Sequence, residues 1–253
     1  MDLGLSGKKA VITGATRGIG RAIANLLADE GVNLAICSRN QEEVDAAITD
    51  LSARGVQVTG AQVDVADKES YQAWIVSAGE ELGGIDIFVP NVSAAGGVMG
   101  EEGWQANFNV DLLGTTRGIE AAMPFLEKST DASIVVIAST AATETFMAPQ
   151  PFNAIKGALV VHAKQLSQAL APAGIRVNCV SPGPIYFDGG VWEMIKEQMP
   201  EVYDATLAQI PQGRLGTAEE IANTVAFIAS PAASLITGVN LVADGGFTKR
   251  VQL

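Results

Sequence analysis

Short apolar runs, rich in β-branched residues, alternate with longer amphipathic segments along nearly the whole chain. A strand that is apolar at every position is buried on both faces, which requires helices above and below its sheet. Regular strand–helix alternation favours a parallel, doubly wound sheet in a three-layer α/β/α arrangement. We therefore predict an α/β fold whose ligand crevice lies beyond the carboxyl ends of the strands.

Seven runs are predicted strands, and together they would form one seven-stranded parallel sheet. They are KKAVIT (8–13), NLAICS (33–38), VQVTGAQV (56–63), IDIFVP (85–90), SIVVIA (133–138), IRVNCV (175–180) and VNLVA (239–243). Helices are predicted at about 18–30, 41–54, 68–82, 102–127, 152–170 and 218–229. The segment 184–217 interrupts the strand–helix alternation, and we expect it to be a non-strand insertion that serves as a functional loop or lid. The whole chain, 1–253, is predicted to be a single domain.

Charge and composition exclude several classes of partner. A net charge of −12 argues against nucleic acid and against an anionic membrane surface, because both require clustered Lys and Arg. The opening MDLGLSGKK has no apolar signal region, and no segment approaches the roughly 18 apolar residues of a spanning helix. Cys37 and Cys179 lie in apolar runs without metal-ligand spacing, as small core residues in a reducing compartment do. We expect a soluble cytoplasmic protein without a metal site.

The stretch TGATRGIG (13–20) follows the first predicted strand and opens a helix. Gly14, Gly18 and Gly20 allow a tight turn and a close approach of the backbone to a ligand, and the helix N-terminus favours a pyrophosphate. The spacing is G-x-x-x-G-x-G instead of the commoner G-x-G-x-x-G. This motif predicts a dinucleotide site, formed by Gly14, Thr16, Arg17, Gly18, Ile19 and Gly20.

The end of the second strand bears on the choice of dinucleotide. An acidic residue there would bind the ribose 2′-hydroxyl of NAD, whereas Arg accommodates the 2′-phosphate of NADP. The chain reads CSRN, with Ser38 and Arg39 and no carboxylate, and Arg17 of the glycine-rich stretch could reach the same phosphate. Two forked guanidinium groups suit a dianion, so we predict NADP(H) as the cofactor.

With these motifs in order, the chain resembles the short-chain dehydrogenase/reductase family, including its oxoacyl-carrier-protein reductases, over nearly its whole length. The resemblance implies a Rossmann-type dinucleotide-binding domain with a substrate loop at about 184–217. It further implies cofactor contacts from Asp64 and Val65 (adenine), Asn91, and Pro182, Gly183 and Ile185 (nicotinamide). DGGF (244–247) matches the C-terminal ending of the family, although PNVS around Asn91 departs from its usual N-N-A-G.

The family normally uses Asn, Ser, Tyr and Lys for catalysis, and two of these positions match. Ser139 and Lys156 are present, but Phe152 stands where Y-x-x-x-K would place Tyr, and Asp111 where V-N-L-x-G-T would place Asn. Asn109 is two residues out of register, so Asp111 is preferred; its carboxylate could hold the relay water that the family's Asn holds, or pair with Lys156 and keep it charged. Ser139 would hydrogen-bond the substrate oxygen and Lys156 the nicotinamide ribose, whereas Phe152 keeps the shape of Tyr without its proton. Loss of a positioned general acid costs about 10²–10⁴ in rate.

Three readings of this site stay open. The protein is an NADP(H)-dependent carbonyl or alcohol oxidoreductase weakened by Phe152, or another acid such as Glu144 or Tyr186 replaces the tyrosine, or it binds NADP without redox turnover, silently or for non-redox chemistry. Phe146, Met147 and Trp192 are candidates for an apolar wall around a small-molecule carbonyl or alcohol substrate. The family resemblance also implies a homo-oligomer, a dimer or tetramer.

Overall fold

All seven predicted strands form a single parallel sheet in the computed structural model, which describes residues 2–145 and 148–251. In chain order the strands are β1 (Lys9–Thr13), β2 (Asn33–Ser38), β3 (Val58–Gln62), β4 (Ile87–Val89), β5 (Ser133–Ile137), β6 (Arg176–Pro182), β7 (Ile185–Tyr186), β8 (Gly216–Thr217) and β9 (Asn240–Ala243). The sheet has the order β3-β2-β1-β4-β5-β6-β9, while β7 and β8 pair outside it. The predicted doubly wound α/β fold is confirmed.

The helices cover both faces of this sheet. They are α1 (Gly18–Asp29), α2 (Gln41–Ser52), α3 (Lys68–Leu82), α4 (Gly100–Asn107), α5 (Gly114–Leu126), α6 (Pro151–Leu170), α7 (Val191–Gln198), α8 (Pro200–Leu207) and α9 (Ala218–Ala229). Successive residues of β1 point to opposite faces: Ile12 packs in the core that includes α1 and α9, and Val11 in the core that includes α3 and α5. Both residues are fully buried, as their apolar run predicts. Within the described ranges, no helix is long and apolar enough to cross a membrane.

The stretch 102–127, predicted as one helix, is interrupted. α4 ends at Asn107, a π-helical turn spans Phe108–Leu113, and α5 begins at Gly114. Asp111 lies inside this turn and is completely buried, whereas Asn109 in the same turn is exposed. Such turns disturb the regular helical ladder and occur frequently at functional sites.

The segment 184–217 is not devoid of strands, as the sequence suggested, because it begins with β7, ends with β8 and contains α7 and α8 between them. Two residues per strand are too few to leave a readable pattern. The segment has a small core of its own, in which Trp192 and Tyr203 pack near Phe247 of the C-terminal region. The two rings meet edge to face, with 6.4 Å between their centroids.

Candidate active site

The parallel topology gathers the predicted site residues at one edge of the sheet. Thr13 ends β1, Ser38 ends β2, Asn91 follows β4, Ser139 follows β5, and Pro182 ends β6. The strand order reverses between β1 and β4, which is where doubly wound folds form their ligand crevice.

The glycine-rich turn between β1 and α1 has the shape of a phosphate cradle. Gly14 and Gly18 have positive φ angles of 67° and 55°, and a Cβ on Gly20 would overlap the carbonyl oxygen of Gly14. Arg17 occupies the N-cap of α1, and no side chain caps that helix end. The amides of the first turn, including that of Ile19, can therefore bind an anion, which fits a dinucleotide pyrophosphate.

Asn91 holds this turn in place. Its side-chain amide donates to the carbonyl oxygens of Thr13 at 3.0 Å and Gly14 at 3.2 Å, and its backbone N–H donates to Thr13 Oγ1 at 3.0 Å. The side chain thereby joins the end of β4 to the end of β1. Sequence reasoning placed Asn91 beside the cofactor without foreseeing this bracing role, because its partners lie 77 and 78 residues away.

The two arginines proposed for a 2′-phosphate lie at the surface. Arg17 and Arg39 are both exposed, and among the described residues neither guanidinium has a carboxylate within 4.0 Å. Next to them, Thr16 Oγ1 donates to Glu43 Oε2 at 2.8 Å, which ties the glycine-rich turn to α2. Glu43 has no motif around it, and sequence reasoning missed it.

The remaining cofactor candidates border the same edge. Asp64 Oδ1 accepts the N–H of Ala66 at 2.9 Å, and Val65 is buried against Gly114. The N–H of Gly183 donates to the carbonyl of Ala243 at 3.0 Å, which fixes the chain after Pro182. These contacts fix the backbone after β3 and after Pro182, where the adenine and nicotinamide contacts were predicted.

The insertion 184–217 reaches back to the phosphate cradle. Ile185 is buried and pairs with Gly216 across β7 and β8. Two residues later, the Phe187 ring lies over Gly18, so close that a Cβ there would be 2.7 Å from ring carbons. The insertion therefore contacts the predicted pyrophosphate site directly.

Ser139 lies at the start of the 3-10 turn Thr140–Ala142 that follows β5. Its Oγ accepts the N–H of Ala141 at 3.1 Å. Because Oγ is the acceptor in this bond, the hydroxyl hydrogen of Ser139 remains available to donate to a substrate oxygen.

Phe152 and Lys156 lie one turn apart on α6. Pro151 is the first residue of the helix, so Phe152 falls in its first turn and Lys156 on the same face. Lys156 Nζ is 5.6 Å from the centroid of the Phe152 ring, within the range of a cation–π contact. The ammonium also donates to the Ile137 carbonyl at 3.0 Å, at the end of β5.

Asp111 meets the same ammonium from the π-helical turn. Its Oδ1 lies 3.1 Å from Lys156 Nζ, and its Oδ2 accepts the N–H of Ala94 at 2.9 Å. The side chains of Asp111 and Lys156 are only 0% and 3% exposed. Three of the positions proposed for catalysis, Asp111, Phe152 and Lys156, are thus brought together around a buried ion pair.

The two candidate replacement acids have other partners. Glu144 Oε1 accepts the backbone N–H groups of Lys249 at 2.7 Å and Arg250 at 3.1 Å. Tyr186 points its hydroxyl at Glu193 Oε1 at 3.4 Å, and burial followed by the charge of Glu193 raises the pKa of the phenol. A phenol of raised pKa stays protonated, but this one is directed at a carboxylate.

A cavity of about 470 Å³ opens between the loop after β5 and α8. Glu144 and Thr145 line one side, Val202 and Thr206 the other, and Phe247 the C-terminal end. Phe146 and Met147, predicted to line the substrate pocket, lie outside the described residues.

Comparison with known proteins gives a consistent set of relatives. The family described as enoyl-(acyl carrier protein) reductase matches residues 14–248. The chain is 38% identical to isoepoxydon dehydrogenase patN of Penicillium expansum, across 97% of this chain and 96% of that protein. It is 36% identical to dehydrogenase/reductase SDR family member 4 of Oryctolagus cuniculus, across 98% and 96%.

Solved structures show the same similarity. L-sorbose reductase from Gluconobacter frateurii, complexed with NADPH and L-sorbose, superposes with a TM-score of 0.90 at 30% identity, covering 99% of this chain and 100% of that one. NAD⁺-bound xylitol dehydrogenase superposes with a TM-score of 0.89 at 26% identity, covering 96% and 99%. Similar structures thus hold either dinucleotide, and the similarity alone does not select between them.

Proposed function

The chain belongs to the short-chain dehydrogenase/reductase family, and we propose on that basis that it transfers hydride between NADP(H) and a carbonyl or secondary alcohol. The observation that supports the proposal is that Lys156 lies against the Phe152 ring and donates to the Ile137 carbonyl, two residues before Ser139, at the sheet edge that also bears the glycine-rich turn. A nicotinamide bound there supplies or accepts the hydride.

Different residues of this chain would bind different parts of the cofactor. The open amides at the start of α1 suit the pyrophosphate, and Arg17 and Arg39 suit a 2′-phosphate. Asp64 and Val65 would contact the adenine, Asn91 would hold the glycine-rich turn against the cofactor, and Lys156 would hydrogen-bond the nicotinamide ribose. The backbone of Ile185, after Pro182 and Gly183, would hold the carboxamide.

At the reacting carbon, Ser139 would donate a hydrogen bond to the substrate oxygen and stabilise its developing negative charge. Phe152 has no proton to give, so protonation of the product is the weak step of this site. Slow turnover with intact cofactor binding is the expected behaviour, since a missing general acid costs about 10²–10⁴ in rate.

The test is NADPH oxidation by the protein and by Phe152→Tyr, with a panel of apolar ketones and ketoses. L-Sorbose belongs in the panel because a similar structure contains it. We expect Phe152→Tyr to raise kcat/KM by about a hundredfold or more, the effect of restoring a general acid. Phe152→Leu is the matched control and should give no gain.

Two other outcomes would redirect the proposal. High activity in the parent protein with no gain from Phe152→Tyr would mean that another residue supplies the proton. If both proteins bind NADPH and neither turns over, the second candidate, a silent or non-redox NADP-binding protein, takes precedence; the absence of a hydroxyl at Phe152 is the observation that favours it.

We further propose a homo-oligomer, dimer or tetramer, supported by large apolar side chains exposed near α4 and on α6. Trp104 is 49% exposed, Phe108 45% and Val161 60%.

Cys37 and Cys179 are buried free thiols, which fits a cytoplasmic location.

A further inference from the structure

Asp111 and Lys156 form a fixed ion pair deep in the protein. The Nζ–Oδ1 distance is 3.1 Å, and both side chains are almost completely buried. Ile137 holds the ammonium from β5, and Ala94 holds the other carboxylate oxygen from the loop after β4. Because each charge has a second anchor, the pair has little freedom to separate.

The pair lies directly beside position 152. The ammonium is 5.6 Å from the Phe152 ring centroid, so a group attached to this ring would feel its charge. A lone ammonium at such a distance favours the ionised form of a phenol, whereas a carboxylate disfavours it. With Asp111 in contact, the pair has no net charge and most of the favourable field is lost.

Other groups that face Lys156 do not restore that field. The Cys179 thiol approaches from β6, and burial raises its pKa to about 12, against a smaller lowering by Lys156, so it stays neutral. From β5 the ammonium meets only the uncharged carbonyl of Ile137. Among the described residues, Asp111 is the carboxylate that forms a salt bridge with Lys156.

We propose that Asp111 is a positioning residue that acts as counter-ion to Lys156 and cancels the positive potential at position 152. This inference rests on the proposed function for the placement of residues 152 and 156 at the reacting centre. Under this inference the site departs from the family pattern in two coupled ways. Phe152 lacks the hydroxyl, and Asp111 cancels the positive potential that would lower the pKa of a hydroxyl there. A hydroxyl restored at position 152 alone would still supply a proton, but it would be a weaker acid than one restored together with removal of the Asp111 charge.

The experiment titrates a tyrosine placed at position 152, with no need for turnover. Phe152→Tyr and Phe152→Tyr/Asp111→Asn are compared by tyrosinate absorbance near 295 nm as pH is raised. The parent and Asp111→Asn serve as the respective blanks, so Tyr71, Tyr186 and Tyr203 cancel. We expect the added phenol to be at least about tenfold more acidic, about one pH unit, in the double variant.

Glu102→Gln in the Phe152→Tyr background is the matched control, because it removes one negative charge from exposed α4. It should leave the titration of the added tyrosine unchanged. Circular dichroism checks that each variant folds. If Asp111→Asn does not fold, Asp111→Ser removes the same charge, retains an acceptor for the Ala94 N–H, and should give the same shift.

Equal titration of the added tyrosine, within about 0.3 pH units, in the single and double variants would overturn the inference. The pH dependence of NADP-linked alcohol oxidation separates this result from failure of the proposed function. A titration shift without turnover in any variant would support the counter-ion role and reject the oxidoreductase. Turnover without a titration shift would support the oxidoreductase and reject the counter-ion role of Asp111.

Discussion

Arg17 and Arg39 are the residues on which the proposed choice of cofactor depends. Both side chains are exposed, so a 2′-phosphate could bind them without breaking an existing salt bridge in the described part of the chain. A hydrogen bond to a charged group contributes about 1.5–3 kcal/mol, which corresponds to about 10–100-fold in affinity. We expect Arg17→Ala and Arg39→Ala each to weaken NADPH binding by that factor and to change NADH binding less than about threefold.

Fluorescence titration of both dinucleotides measures this difference. Arg21→Ala is the control, because Arg21 lies on α1 but already pairs with Asp50 at 2.6 Å. If NADH bound more tightly than NADPH to the parent, or if the two arginine variants lost both cofactors equally, the 2′-phosphate assignment would be wrong.

Single residues also show where sequence reasoning reaches its limit. Alignment with the family motif favoured Asp111 over Asn109, and the structure buries the former and exposes the latter. Whether Asp111 pairs with Lys156 or holds a water stayed open in the sequence, because 45 residues separate the two side chains and their meeting depends on how the π-helical turn packs against α6. The hydrogen bond from Thr16 to Glu43 was not foreseen, because no motif links these two residues.

At the scale of elements, α9 illustrates a helix end stabilised by charge. Thr217 and Glu220 form a reciprocal capping box, and Arg214 lies 2.6 Å from the Glu220 carboxylate. Hydrogen bonding to Arg214 and then to the Thr217 backbone lowers the pKa of Glu220 to about 2. In the unfolded chain this carboxyl would titrate near 4.3. Its stabilising effect is therefore complete above about pH 5 and is lost as the pH falls toward 2.

We expect Glu220→Ala to lower the melting temperature at pH 7 by about 2–4 °C, as loss of roughly 1 kcal/mol from a cap would in a chain of this size. The exposed salt bridge adds little. The difference from the parent should shrink between pH 5 and pH 3 in scanning calorimetry. Glu219→Gln removes the same charge from the same helical turn and should have a smaller effect. A difference that stays constant with pH would contradict the assignment to the ionised carboxylate.

Elements differ in how far their sequences determine them. The seven strands of the sheet were predictable because most are apolar runs, and β5 is buried at all five positions. The break in 102–127 was not, since no residue around Asp111 marks a π-helical turn, which tertiary packing defines. In 184–217, β7 and β8 pair over two residues each, and tertiary contacts define strands that short.

At the scale of the molecule, sequence alternation predicted the parallel sheet, but the strand order came from the structure. The reversal between β1 and β4 brings the glycine-rich turn beside Asn91, which then holds that turn through two carbonyl oxygens. The positions proposed for catalysis lie on the same edge near the end of β5, which is two strands away from β1 in the sheet. The glycine-rich turn and the positions proposed for catalysis thus lie on one edge of the sheet, because parallel strands all end on the same side.

The proposed oligomer is testable on the same scale. Trp104 and Phe108 lie four residues apart, on one face of α4 and the turn that follows, and both are nearly half exposed. The chain mass is 26.2 kDa, so light scattering should give about two or four times that value. Trp104→Glu/Phe108→Glu should reduce the measured mass, since charges at an apolar contact leave unpaired groups buried.

Val191→Glu is the control, because Val191 is similarly exposed, at 46%, but lies on α7 in the insertion. It should leave the mass unchanged. A parent protein of monomer mass would reject the oligomer. If the double variant instead separates the subunits, the π-helical turn that holds Asp111 loses its support from the interface, because Phe108 is the first residue of that turn. Loss of NADPH binding on dissociation would then link assembly to the active site.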